Sequence, residues 1–286
     1  MDRRSALKLL GATAASMSAG ALGGCATTQP MHTPFDVNNP EDLHLMHRKL
    51  AYTLDDRLVY WNIDAVRMGF RDGQLTPFWN MHVGLIYKIE DISQFRYRVN
   101  YFMKIFYSDL KTGKLLETFD NPYTGETREV MQPKLVKSKS VFGLRGIERP
   151  ESKDGDESKN GPSVRHDEIG PAKVIGDDVW LNSDSVFRAE TPNRFGHLVQ
   201  VNDWSTYHGS MRQISDPNVM SAPATHTFND LNTFNHDWVG MKGVDAWSIS
   251  RGFGRKSHNV DGMPEAWKAF MAKNHSDILS DNPDFS

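Results

Sequence analysis

The residue pattern predicts a mainly β chain: an antiparallel β-barrel or sandwich, lipocalin-like, with short N-terminal and C-terminal helices. Three observations predict it. From Arg96 to Ser108, Tyr97, Val99, Tyr101, Met103, Ile105 and Tyr107 fall on one face and Arg96, Arg98, Asn100 and Lys104 on the other. Only Phe102 and Phe106 break the alternation. A period of two over that length is a long half-buried strand. Turn chemistry recurs at short intervals, at Arg71-Asp72-Gly73, Lys111-Thr112-Gly113-Lys114 and Asn121-Pro122-Tyr123-Thr124-Gly125, as it does in barrels and sandwiches. Helical spacing is confined to one segment near each end of the domain.

Taken in order, Asn39-Pro40-Glu41-Asp42 opens a helix over roughly 40–51. Asn caps it, Pro suits its first turn, and the two acids sit at the positive end of its dipole. Leu43, Met46 and Leu50 share one face. Strands are expected at Leu58–Met68, Asn80–Ile89, Arg96–Ser108, Leu115–Asp120, Glu126–Gln132, Lys137–Leu144, Asp178–Glu190, Gly196–Ser210 and from Val244 to Gly252. The stretch 149–168 is dense in Ser, Lys, Asp, Glu and Gly and reads as a solvated or disordered loop. Asp216–Thr225 reads as another loop, broken by Pro217 and Pro223. Pro264-Glu265 opens the last helix, whose Trp267, Phe270 and Met271 share a face. It is expected to plug or flank a barrel end.

The amino terminus reads as an export signal. Arg3, Arg4 and Lys8 precede an uncharged run rich in Ala, Gly and Ser. Gly11, Gly20, Gly23 and Gly24 dilute that run too far for a membrane span. The Arg3-Arg4 pair resembles a twin-arginine signal, with general secretion as the alternative. Leu22-Gly23-Gly24-Cys25 resembles a lipobox, so Cys25 is expected to carry lipid and residues 1–24 to be removed. Cys25 is the only cysteine; acylation would consume a thiol that is otherwise a liability in an oxidising compartment. The expected location is the periplasm or cell envelope, lipid-anchored, and the outer membrane where the host has one.

Composition narrows the partners. Losing Asp2, Arg3, Arg4 and Lys8 with the leader moves the net charge from −3 to −5, which leaves no electrostatic footprint for nucleic acid. The expected organisation is signal (1–24), lipidated tether (25–38), one β-rich domain (39–260), and a C-terminal helix and tail (261–286). With Cys25 acylated, no internal disulfide can form, and stability must come from packing.

At Asn121-Pro122-Tyr123-Thr124-Gly125-Glu126 the chain resembles a bacterial family catalogued as domain of unknown function 1838. Its members often carry an export signal and an Asn-Pro-aromatic-Thr-Gly-Glu hairpin among aromatic-rich strands. The resemblance would cover roughly residues 40–270 and implies no established activity and no catalytic residues. By chemistry the motif is a turn: Pro122 sets its backbone angle, Gly125 can adopt a positive one, and Asn121 can cap it.

No phosphate-binding glycine loop and no Gly-x-Ser-x-Gly elbow occur in the chain. No cofactor is expected. Glu41, His44 and His47 are spaced three apart but drift around the helix, so they read as an exposed polar flank rather than a metal site. The acid–base candidates are His82, on an aromatic-flanked strand, and the group His208, Asp203 and Tyr207. Asp203 and Tyr207, with His197, share one strand parity; Trp204 and His208 share the other. Trp61, Trp79, Tyr101 and Trp204 are candidates to line a ligand cavity, with core filling as the alternative. Parity alone leaves open which face points inward.

The leading functional expectation is a small apolar molecule held inside the barrel. The alternative is a cofactor-free hydratase, isomerase or cyclase on the same scaffold. A second alternative is an envelope scaffold without a ligand.

Overall fold

Long strands with one apolar face must bury that face, and here they do so by curling one sheet upon itself. The structure is a computed structural model and describes residues 35–148, 163–189, 198–233, 236–279, 283 and 285. Its ten-stranded antiparallel sheet uses β1 (Val59–Arg71), β2 (Gln74–Ser93), β3 (Arg96–Ser108), β6 (Val136–Gly143), β7 (Gly146–Glu148), β8 (Ser163–Ile175), β9 (Asp178–Ala189), β10 (Gln200–Ser210), β11 (Thr225–Asn232) and β12 (Trp247–Ser257). A short hairpin, β4 (Thr118–Asp120) and β5 (Thr127–Glu129), forms a separate two-stranded sheet. The strand order is β7-β6-β3-β2-β1-β12-β11-β10-β9-β8. The edges meet at one point, where the Ile169 amide donates to the Arg145 carbonyl at 2.9 Å. Gly146 makes that approach feasible: its φ is 148°, and a Cβ there would lie 2.9 Å from the Asp167 carbonyl oxygen. The expected barrel or sandwich is therefore a single, nearly closed barrel-shaped sheet.

Register assigns the inner face. Trp61, Ile63 and Ala65 on β1 stand opposite Leu85, Val83 and Met81 on β2, and all six are buried in the main core. On β3 the predicted apolar stripe points the same way. Helix α1 (Pro40–Ala51) begins at Asn39, whose side chain accepts from the Glu41 amide. It inserts Met46 and Leu50 into the core and packs against β8, β9, β10 and the short helix α2 (Met211–Ser215). Its last turn is held by Lys256 of β12, whose Nζ donates to the Lys49 and Tyr52 carbonyls at 2.7 and 3.2 Å. A cation there also complements the negative end of the helix dipole.

Three expectations are corrected. His44 and His47 are buried, not an exposed flank. Their Nδ1 atoms bond the Gly143 carbonyl and the Tyr97 hydroxyl at 3.1 and 3.2 Å, so they fasten α1 to the barrel instead of converging with Glu41. The C-terminal helix α3 (Glu265–Asn274) does not plug a barrel end but flanks the barrel wall. It lies on the outer face, where Trp267 and Met271 bury Tyr60, Ile86 and Phe102 in a second core. Gly84 makes room for it, since a Cβ there would fall 2.1 Å from the Trp267 indole nitrogen. This covering explains the two breaks in the β3 alternation. Phe102 belongs to that outer core, and the Phe106 ring packs 5.2 Å from Phe270. Of the expected loop at 149–168, residues 149–162 lie outside the described residues, and from Ser163 onward the chain is strand β8 rather than loop. As an edge strand, β8 takes its order from backbone pairing with β9 and needs no continuous apolar stripe.

Strand β11 also escapes the pattern, because its buried inward positions include His226 and Asp230. The Asn121–Glu126 motif is a turn, as its chemistry implies. Asn121 Oδ1 accepts from the Tyr123 amide at 2.8 Å, its Nδ2 donates to the Val239 carbonyl at 2.7 Å, and Gly125 has φ 73°. Arg3, Arg4, Cys25 and His197 lie outside the described residues.

Candidate functional site

The interior divides into three zones. At the α1 end it is filled by rings. Tyr52 lies 5.1 Å from Tyr87 and 6.0 Å from Tyr97, and Tyr97 stacks on Phe142 at 5.4 Å. Burial and the neighbouring hydroxyls push the Tyr52 phenol well above its ordinary range. His47 is 1 % exposed, and burial drives its imidazole down to about 3.

The middle zone is different. Tyr87, Tyr101, Met103 and Ile105 pack against the core from β2 and β3, yet each keeps partial solvent access. Across the barrel, Ser183 of β9 pairs with Ser205 of β10, and Tyr207 stacks on His226 at 4.8 Å. Ser183, Asp203, Ser205 and Tyr207 are also partly accessible. The inward-facing, partly accessible side chains of this zone are thus apolar on β2 and β3, and hydroxyls with one carboxylate on β9 and β10. His226 Nε2 is buried there with no hydrogen-bond partner among the described residues. Its imidazole is held down to about 4 by burial. Buried polar atoms left unpaired are uncommon and costly, and a bound group or water normally accounts for them.

The third zone is a charged floor. Arg67 Nη1 reaches Asp230 Oδ1 at 3.3 Å and Ser248 Oγ at 2.6 Å. Asp230 also accepts from the Ser250 amide at 2.5 Å and is 3 % exposed. Asp203 stands opposite Asp230 in the register of β10 and β11. Tyr107 lies beside this pair: burial raises its phenol, Arg67 lowers it and Asp230 raises it. Trp79 closes the zone against Phe119 and Trp238, each 5.1 Å away.

A second polar group sits outside the barrel. Asp64 of β1 faces His82 of β2 across the register, and Asp64 Oδ1 lies 2.6 Å from His82 Nδ1. His82 Nε2 lies 2.9 Å from the Ser108 hydroxyl of β3. With Nδ1–H donated to the carboxylate, Nε2 is left to accept from Ser108, the same order of roles as in a serine nucleophile relay. Asn80 stands opposite Ser108 and donates to the Asp109 carbonyl at 3.2 Å. The Asp64 and His82 side chains are roughly half exposed, while Ser108 is buried.

The chain matches no protein-family model and no curated protein. The geometry alone therefore has to separate the candidates. It does not bring His82, His208, Asp203 and Tyr207 together. Asp203 and Tyr207 face the lumen, while His82 and His208 face outward. His208 bonds Asp178 at 2.9 Å and stacks on Trp180 at 4.9 Å, a surface arrangement. Trp61 and Trp79 are buried core residues, and Trp61 Nε1 is spent on the Ala51 carbonyl. Tyr101 faces the lumen, whereas Trp204 is 41 % exposed on the outer face.

Arg67, Asp230, His226, Asp64 and Ser108 were not singled out by sequence reasoning. Arg67 carried one usable signal: it continues the apolar parity of Trp61, Ile63 and Ala65, and a charge in such a stripe must find a buried partner. The others depend on cross-strand register, which the chain does not display locally.

Proposed function

We propose that the protein is an exported envelope lipoprotein, anchored through Cys25, that holds a small, largely apolar molecule with at least one hydrogen-bonding group in its barrel lumen. The observation that carries this reading is the accessible middle zone. Tyr101, Met103 and Ile105 offer apolar surface, while Ser205, Tyr207 and the unpaired His226 Nε2 offer polar contacts. That mixture is what ligand sites use: area for affinity and a few polar atoms for orientation. Export and anchoring rest on Arg3, Arg4 and Leu22–Cys25 in the sequence. Among the described residues no helix is long and apolar enough to cross a membrane.

Native mass spectrometry of protein purified from its producing cells is expected to retain a ligand of this character. Ser205→Trp should fill the lumen and weaken binding of that ligand at least tenfold, whereas Trp204→Ala on the outer face should leave it unchanged. Equal affinity in the Ser205→Trp variant would place the ligand elsewhere and end this reading.

The Asp64–His82–Ser108 relay favours a second reading, a cofactor-free enzyme in which His82 moves a proton. Positioned general-base catalysis contributes about 10²–10⁴-fold. If the relay is competent, Ser108 Oγ should attack the phosphorus of an alkyl fluorophosphonate, the new O–P bond forming as the P–F bond breaks and fluoride leaves, with His82 taking the hydroxyl proton. Intact-mass spectrometry should show one adduct, formed at least 100-fold more slowly in His82→Ala. A wild-type chain that stays unlabelled, or a His82→Ala chain labelled at the same rate, defeats this second reading.

A further inference from the structure

Outside the barrel, the second core leaves a cleft of about 580 Å³ between β3, the segment that leads into β6, and the C-terminal helical region. Its size falls within the roughly 300–1,000 Å³ of ligand sites. Leu135, Phe270 and Ile278 give it apolar walls, and Lys104, Lys134 and Lys137 give it three ammonium groups. Asp277 is the one carboxylate among the lining residues. Lys104 is 4 % exposed. Its Nζ donates to the Pro133 carbonyl and lies 4.9 and 4.6 Å from the Phe106 and Phe270 ring centres. The Lys137 ammonium lies 5.2 Å from the Phe102 ring centre. Among the described residues, none of these lysines forms an ion pair with a carboxylate.

A desolvated ammonium with no counter-charge is expensive, and burial alone pushes the Lys104 ammonium below its ordinary range. Ring faces compensate only in part. An anion entering the cleft would supply the missing charge where water is partly excluded and the attraction is least screened. The apolar walls beside it would accept an alkyl segment.

We propose that this cleft binds the anionic head of a small amphiphile, a carboxylate or phosphate monoester, with its first methylenes against Phe270, Leu135 and Ile278. This site is distinct from the lumen, faces outward, and stands whether or not the lumen reading holds.

The test is calorimetric titration of the full chain with dodecyl phosphate below its micelle concentration, alongside dodecanol and inorganic phosphate. Dodecyl phosphate is expected to bind at least tenfold more tightly than either. The double variant Lys134→Glu with Lys137→Glu changes two exposed side chains, so its melting temperature should stay put while affinity falls at least tenfold. Lys104→Met should lose affinity as well, and Trp204→Ala, outside both sites, should not. A lysophosphatidate arm separates the sources of the headgroup. Tighter capture than of dodecyl phosphate assigns a lipid, and weaker capture assigns a simple alkyl phosphate. Equal binding of dodecanol, or affinity indifferent to the double charge reversal, overturns the proposal.

Discussion

Replacing Trp79 with Ala is expected to cost about 3–5 kcal/mol of folding free energy, the range for a large aromatic removed from a packed core. Trp79 is 2 % exposed and lies within 5.1–5.6 Å, centre to centre, of Phe78, Phe119, Trp238 and Tyr107. Those rings belong to four different pieces of chain: β2 itself, the small β4–β5 hairpin, the turn at Asp237–Val239, and β3. The indole is therefore a contact that the hairpin and the turn share on the barrel, beside the separate Phe78–Phe119 and Tyr107–Trp238 contacts. Its loss opens a cavity that neighbours on separate elements cannot jointly refill, which places the cost toward the upper end. At this chain length each kcal/mol moves the melting temperature by roughly 2–4 °C. Trp204→Ala, on the exposed outer face of β10, should stay within about 0.5 kcal/mol. Thermal melts of the two variants side by side test the assignment of inner and outer faces. Equal shifts would mean that one of the two tryptophans is misplaced.

Acid is expected to destabilise the protein well before its carboxylates titrate. His47 is held down to about 3 and His226 to about 4, both chiefly by burial. In the unfolded chain each would titrate near 6.5. Between those values the unfolded chain binds protons that the folded chain refuses, so stability rises with pH through that window. The contribution is fully present above about pH 6.5 and is lost as pH falls toward 4. Each histidine contributes up to about 1.4 kcal/mol per pH unit, so the pair approaches about 3 kcal/mol per unit near pH 5. His44 and His258 are lowered too, and steepen the same slope. Urea unfolding at pH 7.5, 6.0 and 5.0 measures this directly. His47→Gln with His226→Gln should be less stable than the wild type at pH 7.5, but its dependence on pH should be flatter by close to two protons, so that the gap narrows in acid. A double variant with the wild-type slope would show that both rings are already solvated and protonated in the fold.

Much of the architecture was written locally. The β3 stripe, the start of α1 at Asn39, the apolar face of Met46 and Leu50, and the Asn121–Gly125 turn are each decided by a few adjacent residues. For these elements side-chain chemistry and backbone geometry agree. A strand's two-residue period, however, is the same whichever face is buried. His82 and Asp203 thus looked alike in the sequence, although one faces solvent and the other the lumen. The assembled sheet decided between them, because curvature places one face inside and leaves the other to water or to α3. Strand pairing within that sheet set Asp64 against His82, and Arg67 beside Asp230 at a separation of 163 residues. Such pairs are created by register, which depends on the summed burial of whole strands rather than on any short segment.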